Sequence, residues 1–482
     1  TILPITKTIE TDSHYVNMLD IIITLAEAFD AQHKQLYMVG GTVRDVLLHR
    51  GQSNDADLAT DAHPKEIQRI VAPTHPNAVV LVGERFGTVR LHYGSDIIEI
   101  TTFRSERYNP ESRKPEVCFG TSLEDDLQRR DFTINAMARH PLSGQIFDPF
   151  GGRQDLDAHI LRAVGGEPDK RFDEDPLRLL RAVRFAAQLD FSIDPHTKRS
   201  MIHQAPKLQK ISRERIRDEM NKLLLSDHPA KGLDLLAELG LMEWIIPEVM
   251  ELRGVSQQPS TRPAVHSKDV YAHVLRVVER SSPQLVTRWS ALLHDIAKPR
   301  TRTVEEGKVH FFGHEDLGAY MARDILKRLH FDRDFIESVS RIVRLHMRAN
   351  AYTPEWTDGA VRRLMLDIGN DLPGLLDLSR ADITSYRRDK VLLADARVTQ
   401  LEERCQRLKE EAELVPLKSP LDGNELMELF GRGPGPWLRP IKEHLLGMVI
   451  DGALASDDKE TATRIARSLL DSDEDRGSEI SP

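Results

Sequence analysis

Cysteine is almost missing from this chain: Cys118 and Cys405 are the only two in 482 residues. They stand far apart and without metal-ligand spacing, so no disulfide framework is implied. Long apolar runs are missing as well. The one run near the N-terminus, residues 21–25, is far too short to span a bilayer, and no basic segment with a secretory apolar core precedes it. A cytoplasmic protein with no membrane partner is expected. An excess of positive charge, the usual footprint of a nucleic-acid binder, is also lacking. Lys and Arg number 66 against 76 Asp and Glu, for a net charge of -10. Charge is segregated, however: basic residues crowd 162–222, and the C-terminal DSDEDRGSE is acidic. The remaining composition, 40% hydrophobic and 29% charged, is ordinary for globular domains, and the length predicts about two to four of them. No internal repeat is present.

The most informative stretch is 36–60, LYMVGGTVRDVLLHRGQSNDADLAT. Its first four residues read as a buried strand, Gly40 and Gly41 break it, and a short amphipathic helix carrying Arg44 follows. Strand, paired glycines and helix start bring bare backbone N–H groups together, an arrangement that favours a phosphate. Asp55 and Asp57 then lie two apart on a second strand, so both carboxylates project from one face. Two carboxylates beside a phosphate cradle suit Mg²⁺ ions bridging to substrate phosphates. Further on, the isoleucines flanking Glu99 face the core and turn it to the opposite side of its strand. There it is either a solvent-exposed glutamate or a third carboxylate of the site.

Along the chain, residues 14–33 read as a helix with Ile22, Leu25 and Phe29 inward. Residues 78–103 read as a strand meander, and 104–121 as a mobile polar loop. LEDDLQRRDFTINAMARHP is expected to be helical up to Met137. Residues 146–165 should close a first domain with a strand, a Gly-Gly turn and an edge strand. From Asp173 onward helical periodicity dominates, with Pro and Gly marking the joints. FDEDPLRLLRAVRFAAQL opens with helix-start signals, with Asp175 and Arg178 as surface neighbours and Arg181 and Arg184 continuing the row. Spacing alone makes these a helix-dipole acid followed by solvated arginines. In the helical half, His273, the adjacent pair His294-Asp295, His314, His346 and Asp382 form an ordered series of ligand-type residues. Imidazole with carboxylate suits a divalent transition metal, or Mg²⁺ or Mn²⁺ where oxygens dominate.

GGTVRD followed by DADLAT resembles the opening motif of the class II tRNA CCA-adding enzyme and bacterial poly(A) polymerase family, whose heads are polymerase-beta-like nucleotidyltransferases. RRDFTINAMA is similar to the family's second motif, and EDPLR with RAVRF to its base-reading helix. ISRERIRDEMNKLL (211–224) is similar to the last motif of the head and neck. The His/Asp series from about 266 to 385 resembles an HD-type metal phosphohydrolase domain. The resemblance implies an α+β protein: a small mixed-sheet head (1–165), then an all-helical remainder. That remainder comprises a neck with an RNA-binding region (166–250), an HD domain (251–390), a C-terminal helical body (391–470) and a disordered acidic tail (471–482).

The implied activity is addition of CMP and AMP to tRNA 3′ ends from CTP and ATP. Asp55 and Asp57, with Glu99 as a third carboxylate, would carry the chemistry with Mg²⁺ in the head. Gly40, Gly41, Arg44 and Arg130 would hold the nucleotide, and Asp131 and Asn135 would select ribose. Asp175 and Arg178 would serve as a protein template, with Arg181 and Arg184 beside them. A carboxylate and a guanidinium match the amino donor and ring-nitrogen acceptor that cytosine and adenine share, and mismatch uracil and guanine. His273, His294, Asp295 and Asp382 would form a basic HD metal site, with His314 and His346 holding a second metal. The alternatives are a poly(A) polymerase and a phosphohydrolase whose head only binds nucleotide.

Overall fold

A seven-stranded sheet forms the floor of the head, in a computed structural model that describes residues 13–50, 54–82, 87–107, 116–120, 122–256, 269–383, 388–414 and 417–477. By internal contacts the chain divides into two units, Thr1–Ile245 and Ile246–Pro482.

In the first unit, helix α1 (Ser13–Asp30) buries Ile22, Leu25 and Phe29, as their spacing predicts. Strand β1 (Leu36–Val39), helix α2 (Gly41–Leu47) and strand β2 (Asp55–Thr60) follow, then helix α3 (Pro64–Val71). The expected meander is β3 (Ala78–Val82), β4 (Thr88–Tyr93) and β5 (Asp96–Thr102). With β8 (Ala138–Arg139) and β9 (Ile146–Phe147), the sheet order is β3-β4-β5-β2-β1-β8-β9. All its pairings are antiparallel except β2 with β5, which is parallel. Ile98 and Ile100 of β5 are fully buried, so Glu99 does face the other way.

Three local expectations are corrected here. Part of the presumed loop pairs as an antiparallel ribbon, β6 (Arg104–Arg107) with β7 (Glu116–Phe119), while 108–115 and 121 lie outside the described residues. The helix expected to reach Met137 is only α4 (Leu123–Gln128). Beyond it Phe132 bridges to Ala163, the Thr133 N–H donates to the Arg162 carbonyl, and the Val164 N–H donates to that of Asp131. The backbone there bonds across to another segment instead of along a helix. Finally, Ile160–Leu161 is not an edge of the main sheet; it pairs in parallel with Ser192–Ile193.

The short helix α5 (Gly152–Asp157) precedes the neck. Helix α6 (Pro168–Glu174) stops at Asp175, whose backbone is extended, and α7 (Leu177–Leu189) starts after Pro176. Leu179, Val183 and Ala186 of α7 are fully buried, as its periodicity predicts. Helix Arg213–Leu224 packs against it.

The second unit is almost wholly helical. Helices Val270–Arg280, Leu285–Leu293, His314–Arg328, Arg333–Asn350 and Leu372–Ala381 form one bundle, interrupted by a hairpin of Thr303–Glu305 and Lys308–His310 that periodicity does not reveal. A small second core of Leu421, Leu426, Ile441, Leu445, Val449, Leu454, Ala462 and Ala466 joins the last three helices. The final helix, Lys459–Gly477, carries 471–477 of the acidic segment expected to be disordered, and 478–482 lie outside the described residues. No described helix is long and apolar enough to cross a membrane.

Candidate active site

Register brings the head carboxylates together. In the parallel pair of β2 and β5, Asp57 stands directly beside Glu99, and both Asp55 and Asp57 are exposed on one face while Ala56 and Leu58 are buried. Glu99 also pairs in register with Arg90 of β4 and accepts from its Nε at 2.9 Å and its Nη2 at 2.6 Å. The Asp57 carboxyl is pushed above its ordinary pKa, first by desolvation within the cleft and then by Glu99 and Asp55, against the opposing pull of Arg130. Neighbouring carboxylates thus disfavour the charge on Asp57, a condition that a divalent cation relieves.

The glycine pair closes the site from the β1 side. Gly40 has φ of 66°, and a Cβ there would lie 2.8 Å from Arg130 Nη1 and 3.9 Å from Asp57 Oδ2. Only a residue without a side chain fits both the backbone and the approach of Arg130. Gly41 has more room, its virtual Cβ meeting Arg44 Nη2 at 3.5 Å. Thr42, which sequence reasoning passed over, accepts from the Asp57 N–H at 2.9 Å and so pins the carboxylate strand to α2. Asp126, also passed over, is buried and accepts from Arg129 at 2.7 Å and from Arg130 at 3.1 Å. Burial works to raise its pKa, but Arg130 and Arg129 outweigh that and hold it below the ordinary value. The signal was present in sequence: Asp126 precedes Arg130 by one helical turn.

Behind the cleft the arginines form a chain of pairs. Arg44 donates to Asn135 Oδ1 at 2.8 Å and to Asp45, Asn135 donates to Asp131 at 3.2 Å, and Arg181 donates to Asp131 Oδ2 through Nε at 2.8 Å. Burial alone would raise the Asp131 pKa, yet the Arg181 guanidinium holds it at about 2. Arg184 is buried against Glu219 at 2.9 Å, and the guanidinium groups of Arg44, Arg181 and Arg184 surround the ring of Phe185 at 4.3–5.3 Å. The row expected to be solvated is therefore buried or paired.

Asp175 and Arg178 do not pair with each other. Asp175 lies before α7, accepts from the Leu177 N–H at 3.1 Å, and is held by Arg215 at 2.8 Å. Arg178 donates to Glu174 at 2.8 Å and to the Arg129 carbonyl at 2.7 Å. The two side chains are thus anchored by different partners.

In the second unit all six ligand-type residues converge. His294 and Asp295 follow helix Leu285–Leu293, and Asp382 follows helix Leu372–Ala381. His273 Nε2 lies 2.9 Å from Asp382 Oδ1, 3.5 Å from Asp295 Oδ2 and 3.3 Å from His294 Nε2. His314 Nε2 and His346 Nε2 lie 3.5 and 4.0 Å from the other Asp295 oxygen, Oδ1. His294, His314 and His346 each direct Nδ1 at the carbonyl three residues back, at 2.6–2.8 Å. A carbonyl can only accept, so Nδ1 carries a proton in each ring and Nε2 is the atom turned inward as the candidate ligand. Asp295 Oδ1 and His314 Nε2 are buried without any hydrogen-bond partner.

The electrostatics agree with a cation site. Burial depresses the His346 pKa to about 4, with His294 adding to the effect, so that ring is neutral near pH 7. Burial likewise opposes charge on His294, but Asp295 reverses the balance and its pKa rises. A field that draws a proton onto a fully buried imidazole also draws a divalent cation. The donors fit two such ions: His273, His294 and Asp295 form one group, and Asp295, His314 and His346 a second, with Asp295 common to both. Lys298, 2.7 Å from Asp295 Oδ2, and Asn350, 2.6 Å from Asp382 Oδ2, complete the surroundings and were not foreseen.

Comparison with known proteins meets this geometry. Residues 36–162 match the poly A polymerase head domain, 190–252 the probable RNA and SrmB-binding site of polymerase A, and 264–387 the HD domain. Over 36–162 the chain is thus similar to the poly A polymerase head domain. Among relatives, a CCA-adding enzyme of Lactobacillus helveticus is 42% identical over 231 residues, covering 48% of this chain and 55% of its own length. A CCA-adding enzyme of Geobacillus thermodenitrificans is 46% identical over 212 residues, covering 44% and 50%. The aligned stretch thus spans about half the length of these curated relatives. A crystal structure of the Bacillus stearothermophilus CCA-adding enzyme in complex with CTP superposes with a TM-score of 0.66 and 27% identity, covering 98% of this chain and 100% of the other. The mixed-sheet head followed by helices is the expected α+β architecture.

Proposed function

We propose that this chain adds CMP and AMP to tRNA 3′ ends from CTP and ATP, without a nucleic-acid template, in the cytoplasm. The observation that carries this reading is the parallel register of β2 and β5, which lines up Asp57 with Glu99 beside Asp55 and opposite Arg130. A module that only bound nucleotide would have no use for carboxylates clustered in register on one face. Asp55 and Asp57, with Glu99 next to them, would hold Mg²⁺, which supplies charge neutralisation for the triphosphate and the attacking oxygen.

The chain's own residues do the rest. Arg130, fixed by Asp126 and given room by Gly40, meets the phosphates. Gly41 brings the start of α2 close to them, and Arg44 is steadied by Asn135. Asp131 and Asn135 stand at the ribose. Asp175 accepts from an exocyclic amino group and Arg178 donates to the adjacent ring nitrogen, so cytosine and adenine fit both and uracil and guanine fit neither. Arg181 and Arg184 continue the same helix beside that pair, held by Asp131 and Glu219. The domain division that follows is head 1–165, neck 166–250, HD region 251–390 and helical body 391–470.

A poly(A) polymerase is the neighbouring reading within the family. The named relatives favour CCA addition over it. Purified protein incubated with trimmed tRNA and each nucleotide singly tests the choice. CTP should extend the tRNA by two residues and ATP should then add one. Long ATP-only tails on a generic RNA primer, with no CTP incorporation, would select the poly(A) polymerase.

A second activity, metal-dependent hydrolysis of phosphate esters, is favoured by the two ligand groups sharing Asp295. A divalent ion there, Mg²⁺, Mn²⁺ or a transition metal, would supply an activated water. His294, His314 and His346 are preset for the task by their backbone-bonded Nδ1 atoms.

A further inference from the structure

A cleft of about 110 Å³ adjoins the HD cluster, walled by helices Arg333–Asn350, Leu372–Ala381 and Arg388–Leu414 and the residues just after them. Asp382 lines it together with Asn350, Tyr352, Ser379 and Arg397. Ser379 is only 2% exposed, and its Oγ has no hydrogen-bond partner although it lies in the cleft wall. A buried hydroxyl in that state costs free energy that a bound polar group restores. Arg397 lines the same wall, and its guanidinium makes no ion pair or side-chain hydrogen bond with any described residue. Arg404 and Arg407, on the same helix, are both engaged by Asp358. Asn350 donates one amide N–H to Asp382 Oδ2 at 2.6 Å and keeps a second N–H to offer.

We propose that this cleft is the phosphate subsite of the HD centre, with Arg397, Ser379 and Asn350 binding the phosphate group of an ester substrate. The inference rests on the HD region being a metal phosphohydrolase. A guanidinium, a hydroxyl and an amide N–H present several donors to one small space, and phosphate supplies acceptor oxygens in a matching number. The Asp382 carboxylate on the cleft wall does not repel such a ligand outright. Its Oδ1 is engaged by His273 at 2.9 Å and its Oδ2 is covered by Asn350. Size points the same way. The cleft is well below the roughly 300–1,000 Å³ of sites that enclose a whole small molecule. It takes a phosphate group and leaves the rest of the substrate outside.

Titrating inorganic phosphate into the full chain by calorimetry, with and without saturating Mn²⁺, tests this. Wild-type protein should bind phosphate, Arg397→Ala should weaken binding at least tenfold, Arg397→Lys should fall between, and Ser379→Ala should cost severalfold. Arg397 is exposed, so the circular dichroism spectrum and Tm should be unchanged in its variants. Mn²⁺ affinity should also be unchanged, because Arg397 is not a ligand. Phosphate binding that is equal in wild type and Arg397→Ala, or absent from wild type, overturns the proposal. Failure of wild type to bind Mn²⁺ would instead remove the metal reading. The metal-free phosphate titration of the two proteins would still decide the subsite.

Discussion

Gly40 is constrained both by its backbone and by the approach of Arg130. With φ of 66° and ψ of -134°, its backbone conformation is one that side chains avoid, at about 1–3 kcal/mol. Gly40→Ala should lower Tm by a few degrees and, by displacing Arg130, raise the KM for CTP about tenfold in steady-state addition assays. An unchanged KM would mean that Arg130 does not meet the nucleotide. Asp55→Ala or Asp57→Ala should each abolish addition with little change in Tm, because both residues are exposed. Wild-type rates in either variant would remove the carboxylate assignment. Asp131 makes a pH prediction. Its folded pKa of about 2 lies below the ordinary aspartate value of 3.8, so its ion pair with Arg181 stabilises the fold fully above pH 4 and progressively less as pH falls toward 2. The difference corresponds to about 2 kcal/mol. Urea unfolding between pH 5 and 2.5 should show a shallower loss of stability for Asp131→Asn than for wild type, from a lower starting value.

At the scale of elements, α7 is where sequence pattern and structure part company most usefully. The Asp-Pro start signal, the buried face and the arginine row are all legible in 175–189. What spacing could not supply is the set of partners. Arg181 reaches Asp131, fifty residues earlier, Arg184 reaches Glu219, and Asp175 reaches Arg215. Solvated arginines are the right default for an isolated helix, and tertiary packing overrode it. Arg178→Ala should reduce the addition rate and also relax discrimination against UTP and GTP, measured as the ratio of kcat/KM values. Arg215→Ala should relax discrimination with a smaller loss of rate, since it frees Asp175 without removing it. Full selectivity in both variants would argue against the template. The segment after α4 shows the opposite failure. Phe132, Ile134 and Met137 are fully buried and satisfy a helical pattern only coarsely. Pairing of Phe132 with Ala163 decides the conformation instead.

At the scale of the molecule, each of the two units carries its own cluster of titratable groups, so their activities should separate. His294→Ala combined with Asp295→Ala should end metal-dependent hydrolysis of phosphate esters while nucleotide addition continues at more than half the wild-type rate. Loss of both activities with an unchanged Tm would show that the clusters are coupled. If wild-type protein hydrolyses neither cyclic nucleotides nor phosphate monoesters with any divalent metal, the HD cluster is structural.

The sequence by itself determined the chemistry on offer. Gly40-Gly41, the alternation of Asp55 and Asp57, and the order of His273, His294-Asp295, His314, His346 and Asp382 are local patterns, and local patterns survive in a linear reading. Glu99 was legible only as facing away from the core. Its place beside Asp57 depends on β2 pairing in parallel with β5, a register set between strands more than thirty-five residues apart. The same holds for the partners that fix each reactive group: Thr42 on the Asp57 amide, Asp126 under Arg130, Arg215 on Asp175 and Asn350 on Asp382. Residue type states what a side chain can donate or accept. Which buried donor faces which acceptor is decided only when desolvation on folding forces every such group to find a partner.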